Sequence, residues 1–208
     1  IGILQIMRSR GITVSLADLV AKGVAQFADK STEPPEHTTE AVMTFLKNRL
    51  SRLLADEGLS KDVVAAVISV SADRIPDVER RAAALEALKG RPGFEPLAAA
   101  FKRVENILRK TDQAATAAVA PELFEHPSEK ALHAASRSVA QTVDALMRRG
   151  ELEEALAAIA TLRDPVDAFF DDVMVMADDA AVRGNRLALL ASISGLFGQI
   201  ADFSQIAT

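Results

Sequence analysis

The chain has 208 residues, of which 49% are hydrophobic and only 4% aromatic, with nine Phe and neither Trp nor Tyr. It contains no cysteine, which excludes disulfides and thiolate metal sites and is compatible with a reducing cytoplasmic location. Its net charge of −5 argues against nucleic-acid binding over the whole surface, although a local cluster of Lys and Arg can still bind phosphates.

Ala and Leu dominate the sequence and strand formers are scarce, which predicts an all-α fold built as a helical bundle. Gly and Pro divide it into helices predicted near 2–10, 15–28, 39–57, 60–71, 75–89, 95–112, 128–149, 151–162, 165–176 and 184–204. The Ala-rich run 114–121 is either a loose helical extension or a linker.

Two features concern the ends and the environment of the chain. It begins at Ile1-Gly2, inside an amphipathic stretch and without an initiator Met, so we expect a fragment of a longer protein. No apolar run approaches the roughly 18–20 residues that a membrane span requires, so we expect no membrane association.

The helix predicted over 39–57 has an arginine on its apolar side. At about 100° per residue, Arg49 projects from the middle of a face formed by Val42, Phe45, Leu46, Leu50 and Leu53. A guanidinium there needs a carboxylate or carbonyl partner, or must leave the interior for a ligand. We expect Arg49 to form a buried structural ion pair, with direct RNA contact as the alternative.

The helix predicted over 95–112 has an apolar and a cationic side, and Pro96 suits its first position. Its buried stripe is predicted to be Leu97, Ala100, Phe101, Val104, Ile107 and Leu108. Opposed only by Glu105, the other side carries Lys102, Arg103, Asn106, Arg109 and Lys110. Lys and Arg bind phosphates, and Asn offers a base edge a paired donor and acceptor. The pattern by itself favours a solvated helix face, and RNA binding is the alternative.

The acidic stretch after Asp164 carries two aspartate pairs, 171–172 and 178–179, seven residues apart. Such pairs can hold Mg²⁺ for diphosphate chemistry when carboxylates one turn apart face a second acidic set. Apolar residues separate these pairs and no partner acidic helix is present, so helix capping and solvation are the better interpretation.

The helix predicted over 184–204 has a core side and a flank of small residues. Leu189, Ile193, Leu196, Ile200 and Phe203 are predicted to line the core. The flank that would suit close approach of another helix is formed by Ala188, Ala191, Gly195 and Gly198. Asn185 and Arg186, at the start of the helix, are expected to hold the preceding acidic turn in place.

Other signals of catalysis are weak. The histidines at 37, 126 and 133 lack metal-ligand spacing and are expected to be surface or capping residues. No Ser lies in a nucleophile-elbow pattern, and no Gly-rich phosphate loop follows a strand. The sequence predicts no catalytic residue and no metal ligand in this chain.

Several long segments resemble a known family. Ala100-Phe-Lys-Arg-Val-Glu-Asn-Ile-Leu-Arg-Lys110 is similar to the opening helix of a DALR-type anticodon-binding domain. The segments Pro165 to Asp179, Arg183 to Leu190 and Leu196 to Ser204 resemble the ending of bacterial glycyl-tRNA synthetase β subunits. Phe45-Leu-Lys-Asn-Arg-Leu and Lys61-Asp-Val-Val-Ala-Ala-Val are similar to the same family in the same order, so the likeness covers nearly the whole chain.

The resemblance implies three segments and one function. Residues 1–30 would be the tail of a preceding HD-like helical region, 31–92 a connecting helical region, and 93–208 the anticodon-binding domain. The chain would bind the anticodon arm of tRNA(Gly), whose two adjacent cytosines specify glycine, within a cytoplasmic tetramer of two α and two β subunits. ATP and Mg²⁺ would be used at the α-subunit site, with no cofactor in this chain. RNA-binding roles are carried over to Lys102, Arg103, Asn106, Arg109, Lys110 and Arg49.

A structural role is the alternative, in which the bundle docks the β subunit to the α subunit without touching RNA. The cationic side of the helix over 95–112 separates the two hypotheses. Loss of tRNA affinity on removing these charges would support RNA binding, and loss of subunit assembly would support docking.

Overall fold

The computed structural model describes residues 2–30, 32–111 and 118–207. The regular elements in these ranges are α-helices joined by turns and short 3₁₀ segments, so the prediction of an all-α protein is confirmed. The helices are α1 Gly2–Ser9, α2 Leu16–Ala25, α3 Pro35–Asp56, α4 Lys61–Val70, α5 Ile75–Lys89, α6 Phe94–Lys110, α7 Pro127–Arg149, α8 Leu152–Ala160, α9 Arg163–Asp172 and α10 Ala180–Gly198. Half of the Ala-rich run, residues 114–117, lies outside the described residues.

The chain divides into two compact units, residues 1–86 and 87–208. The division falls within α5. The boundaries predicted after residues 30 and 92 stay predictions.

The first unit is built from short amphipathic helices whose apolar rows are buried. In α3 the buried row is Leu46, Leu50 and Leu54, spaced four residues apart as one helix face requires. Val63, Val64 and Val67 of α4 are fully buried. The start of α2 is fixed by Ser15, whose hydroxyl accepts from the Asp18 N–H at 3.0 Å.

The buried arginine of this unit is Arg81 rather than Arg49. Arg49 lies beside the buried row of α3, is half-buried, and forms no ion pair or hydrogen bond with a described residue. The expected buried ion pair is therefore wrong, because the face is rotated so that Phe45 is 60% exposed. Arg81 is 3% exposed and donates to the Val67 carbonyl at 3.4 Å and the Ser71 carbonyl at 2.6 Å. It satisfies the Ser71 carbonyl just past the end of α4 and adds a second donor to the Val67 carbonyl, which already accepts from the Ser71 N–H.

In the second unit, α6 packs against α9 and α10, and α7 packs against α8, α9 and α10. Its core combines α10 leucines with an aromatic cluster of Phe94, Phe101, Phe197 and Phe203. The residues predicted to line the core side of the helix over 184–204 are all buried, although the last two lie beyond the end of α10: Leu189, Ile193, Leu196, Ile200 and Phe203.

Three details of the sequence prediction for this unit are wrong. Helix α9 ends at Asp172 rather than 176, because Val173 and Val175 are buried alternately with exposed Met174, an extended rather than a helical period. Pro96 is the third residue of α6, since the helix begins at Phe94. No other helix packs closely against the glycines of the small-residue flank of α10, since a Cβ atom added at Gly195 or Gly198 would meet nothing within 4 Å.

Candidate nucleic-acid interface

The cationic side chains predicted to bind RNA lie on α6, whose position is set by its apolar underside. The helix follows Gly93, which has a left-handed φ of 88° that glycine adopts without steric cost. Phe94, Leu97, Phe101 and Val104 are buried along one side. The ring of Phe101 lies 3.6 Å from that of Phe197 on α10, measured between centroids. Burial of this side leaves the opposite side of α6 facing solvent.

Four of the five α6 residues predicted to bind RNA are exposed to solvent, and the fifth is half-buried. Arg103, Asn106, Arg109 and Lys110 are exposed, and Lys102 is half-buried. In the predicted buried stripe of α6, the four residues from Leu97 to Val104 are buried as expected. Ile107 and Leu108, near the end of the helix, are only half-buried. The last turn of α6 therefore presents cations on an exposed surface where the negative end of the helix dipole favours them.

Arg103 is held by an aromatic ring. Its guanidinium carbon lies 4.1 Å from the centroid of the buried Phe170 ring on α9. A cation over an aromatic face at this distance is favourable, and it uses the flat face of the guanidinium. The in-plane N–H donors of Arg103 are not consumed by this contact, so the group is oriented and still able to bind an oxyanion.

Asn106 and Arg109 form a pair on the same face. The Arg109 guanidinium donates to the Asn106 side-chain carbonyl at 2.5 Å. This contact occupies the amide oxygen, so Asn106 offers chiefly its N–H donors rather than the paired donor and acceptor predicted from the sequence. Arg109 also acts on Asp202: burial opposes ionisation there, but hydrogen bonds from Ser204 and Gln205 together with the Arg109 charge lower the pKa of Asp202.

Glu105, the one acidic residue of the 102–110 segment, is bound to α10. It accepts a hydrogen bond from the Ser194 hydroxyl on α10 and is half-buried. At 3.6 residues per turn it lies about 160° around the helix from Arg103, but only about 60° from Lys102 and 40° from Arg109. Its charge is therefore held by Ser194 and lies farthest from Arg103.

A buried ion pair joins Arg186, near the start of α10, to Glu129, near the start of α7. The Arg186 guanidinium donates to Glu129 at 2.9 Å, to Glu125 at 2.8 Å and to the Met174 carbonyl at 3.0 Å. Arg186 is 6% exposed and Glu129 0%. The prediction that Arg186 has a structural role is confirmed, but Glu129, a residue the sequence reasoning missed, is its principal partner. The signal was the pattern His126-Pro-Ser-Glu129, a helix-start motif with an acid at its third position.

The start of α7 depends on the same carboxylate. The second oxygen of Glu129 accepts from the backbone N–H of Glu125 at 2.8 Å and of His126 at 2.7 Å. His126 in turn accepts from the Ser128 N–H, so it caps the helix as expected. Burial acts against the Glu129 charge, but the bonds from Arg186 and the two backbone N–H groups lower its pKa.

This lowered pKa predicts acid sensitivity. An unfolded Glu has a pKa of about 4.3. Because the pKa of Glu129 in the folded state lies below that value, the ionised carboxylate contributes its full stabilisation above about pH 4.3. This stabilisation is lost as the pH falls through the folded-state pKa. We expect Glu129→Gln to reduce the pH dependence of the free energy of unfolding between pH 5 and pH 3, measured by urea titration. The exposed Glu122→Gln variant is the control; equal pH dependence in both variants would contradict the prediction.

The acidic stretch after α9 serves helix capping. Asp179 accepts from the N–H groups of Ala181 at 2.7 Å and Val182 at 3.0 Å, which starts α10. Arg183 donates to the carbonyls of Ala177 and Asp178, closing the turn before α10. Among residues 2–30, 32–111 and 118–207, no group of three or more His, Asp or Glu side chains could hold a metal ion. Within the same ranges, no helix is both long and apolar enough to cross a membrane.

Two family models match parts of this chain. Residues 97–205 match the family model of the DALR anticodon binding domain, and residues 1–69 match that of the glycyl-tRNA synthetase beta subunit. The first of these matches contains α6 from Leu97 onward, with all five of its predicted RNA-binding residues.

Similar proteins are named glycine–tRNA ligase beta subunit. That of Desulforapulum autotrophicum is 48% identical over 99% of this chain, and that of Desulfatibacillum aliphaticivorans 44% over 99%. That of Ectopseudomonas mendocina is 42% identical over 98% of this chain. The chain spans about 30% of the length of each of these relatives. Since the anticodon-binding model covers more than half of its residues, the chain belongs to the DALR anticodon binding domain family, with glycyl-tRNA synthetase β subunits as its relatives.

Proposed function

We propose that this chain is the tRNA-binding part of a glycine–tRNA ligase β subunit and holds the anticodon arm of tRNA(Gly) through the exposed side of α6. The observation that carries the proposal is the cluster Arg103, Asn106, Arg109 and Lys110, exposed on one helix within the matched anticodon-binding region. The ligands expected for such a cluster are the phosphate oxygens of an RNA loop. A local cationic patch can bind phosphates even in a chain whose net charge is negative.

In the whole enzyme, the chain would support a reaction carried out elsewhere. The proposal assigns attachment of glycine to tRNA, with ATP and Mg²⁺, to an α subunit in a cytoplasmic tetramer of two α and two β chains. This chain would contribute affinity and orientation of the tRNA and no reacting group.

Orientation of the cations supports RNA binding over a merely solvated face. Arg103 is stacked on Phe170, and Arg109 is tied to Asn106. Ordering long cationic side chains before binding reduces the entropy lost when they meet phosphates.

The test removes two of the exposed charges from α6. We expect the double variant Arg103→Gln, Lys110→Gln to bind tRNA(Gly) more weakly in the assembled ligase. The slope of log affinity against log salt concentration should fall by about 0.7 for each lost phosphate contact with single-stranded RNA. Filter binding at several salt concentrations measures both quantities.

The matched control is Lys130→Gln, Arg148→Gln, which removes the same charge from exposed positions on α7. Equal loss of affinity in both double variants would show that overall charge, not the α6 face, matters. Unchanged tRNA affinity with failed α–β assembly would instead support the docking hypothesis. Arg49→Gln, in the first unit, tests the one proposed contact outside α6 in the same assay.

A further inference from the structure

The five methionines of the chain differ sharply in their contact with solvent. Met174 is 77% exposed and Met176 53%, and both lie in the extended segment between α9 and α10. Met7 is 3% exposed, and Met43 and Met147 are half-buried. Because the chain contains no cysteine, methionine is its most readily oxidised side chain, and the sulfur atoms of Met174 and Met176 are the most accessible.

The two exposed methionines alternate with two buried valines. Val173 and Val175 are each 7% exposed. Successive side chains of an extended backbone point to opposite sides, so the valines pack against the protein while both methionines point to solvent. A chemical change at Met174 or Met176 therefore leaves the packing of the segment as it is.

The backbone of this segment is held by bonds that do not involve the methionine side chains. Arg186 donates to the Met174 carbonyl at 3.0 Å, and Arg183 donates to the Ala177 carbonyl at 2.6 Å. Oxidation of a methionine makes its side chain polar without altering these bonds. The same change at the buried Met7 would place an unpaired polar group in the core of the first unit, which is costly.

The surface around the two methionines is acidic. The aspartates at 171 and 172 precede them, those at 178 and 179 follow them, and all four are exposed. Carboxylates repel anions, including the phosphates of RNA, but they do not oppose an uncharged oxidant such as hydrogen peroxide. We therefore expect peroxide to reach the methionines whether or not RNA is bound at α6.

We propose that Met174 and Met176 form a reversible oxidation site for hydrogen peroxide. The thioether sulfur attacks one peroxide oxygen, so that an S–O bond forms as the O–O bond breaks. The sulfur is oxidised to the sulfoxide, and the second oxygen takes up the proton of the transferred one and leaves as water. A thiol-dependent methionine sulfoxide reductase reverses the change: two thiols are oxidised to a disulfide, and the sulfoxide oxygen leaves as water.

The test treats the assembled ligase with dilute hydrogen peroxide and follows each methionine by peptide mass spectrometry. Met174 and Met176 should gain oxygen at least about ten-fold faster than Met7, which reacts only when the fold opens. They should also react faster than the half-buried Met43 and Met147. A sulfoxide reductase with a thiol should return both to their original mass. Amide hydrogen exchange in the peptides of α9 and α10 should be the same before and after oxidation.

A matched control places a thioether on the opposite side of the same segment. In the variant Val175→Met, the new methionine should react slowly while its neighbours Met174 and Met176 react fast, because exposure and not local sequence sets the rate.

Equal oxidation rates for Met174, Met176 and Met7 in the parent enzyme would overturn the inference. So would slow oxidation of both exposed methionines in the assembled ligase, since another part of the enzyme would then cover them. Failure of the reductase to remove the oxygen, or faster hydrogen exchange in α9 and α10 after oxidation, would also overturn it. None of these measurements uses tRNA, so the outcome is independent of the proposed function.

Discussion

Replacing Arg186 with Met is expected to lower the free energy of unfolding of the second unit by about 3–5 kcal/mol, because it leaves the Glu129 carboxylate buried without its cation. Glu129 is 0% exposed in the folded state. The variant also loses the bond to the Met174 carbonyl, which fixes the extended segment between α9 and α10. Since whole domains are stable by about 5–15 kcal/mol, a loss of this size approaches unfolding at 37 °C.

The measurement is urea denaturation followed by circular dichroism at 222 nm, since a chain without Trp or Tyr gives no useful intrinsic fluorescence. Replacing both partners, as Arg186→Met with Glu129→Leu, should recover much of the loss because no charge remains buried. Arg148→Met on the exposed side of α7 should change stability by less than about 0.5 kcal/mol. A double variant no more stable than Arg186→Met alone would contradict this explanation.

Truncation of Phe101 to Ala is expected to cost a similar amount, about 3–5 kcal/mol, through lost burial and the cavity that remains. The ring is 2% exposed and touches both Phe197 and Phe203. Because Phe101 lies under the cationic side of α6, the variant should also weaken tRNA binding as the helix loses its support.

Phe101→Leu separates packing from function. It keeps most of the apolar volume, so it should cost clearly less stability than Phe101→Ala and leave tRNA affinity near that of the parent. Thermal and urea unfolding measure the first effect, and filter binding the second. An Ala variant of normal stability would show that the aromatic cluster does not hold α6 in place.

The two predictions test two different sets of contacts that hold the helices of the second unit in place. Arg186 and Glu129 fix the segments that begin α7 and α10, whereas Phe101 fixes α6 itself. Side chains that bind RNA must be held in position by groups that never touch it. In this unit, a buried ion pair and four phenylalanines would hold the proposed RNA-binding side chains in position.

Local patterns predicted the helices well where apolar spacing and strong stop signals agree. Helix α5 has the predicted bounds of 75 and 89, and α7 begins at Pro127, one residue before its predicted start. Errors arose where the spacing of buried residues changes from helical to extended without a Gly or Pro to mark the change. This happens at Val173, where the apolar pattern of an extended segment cannot be told from that of a helix over a few residues.

The all-α class and the amphipathic helix that carries Arg103 to Lys110 followed from the sequence alone, because helix propensity and apolar periodicity are local properties. The family followed from the resemblance of long segments in the same order. Which charges are buried depended on how the helices pack. The tertiary structure moved the buried arginine of the first unit from position 49 to 81, paired Arg186 with Glu129, and turned Glu105 towards Ser194. Partners 57 and 89 residues apart in sequence leave no periodic signal, since their meeting depends on how whole helices pack against each other.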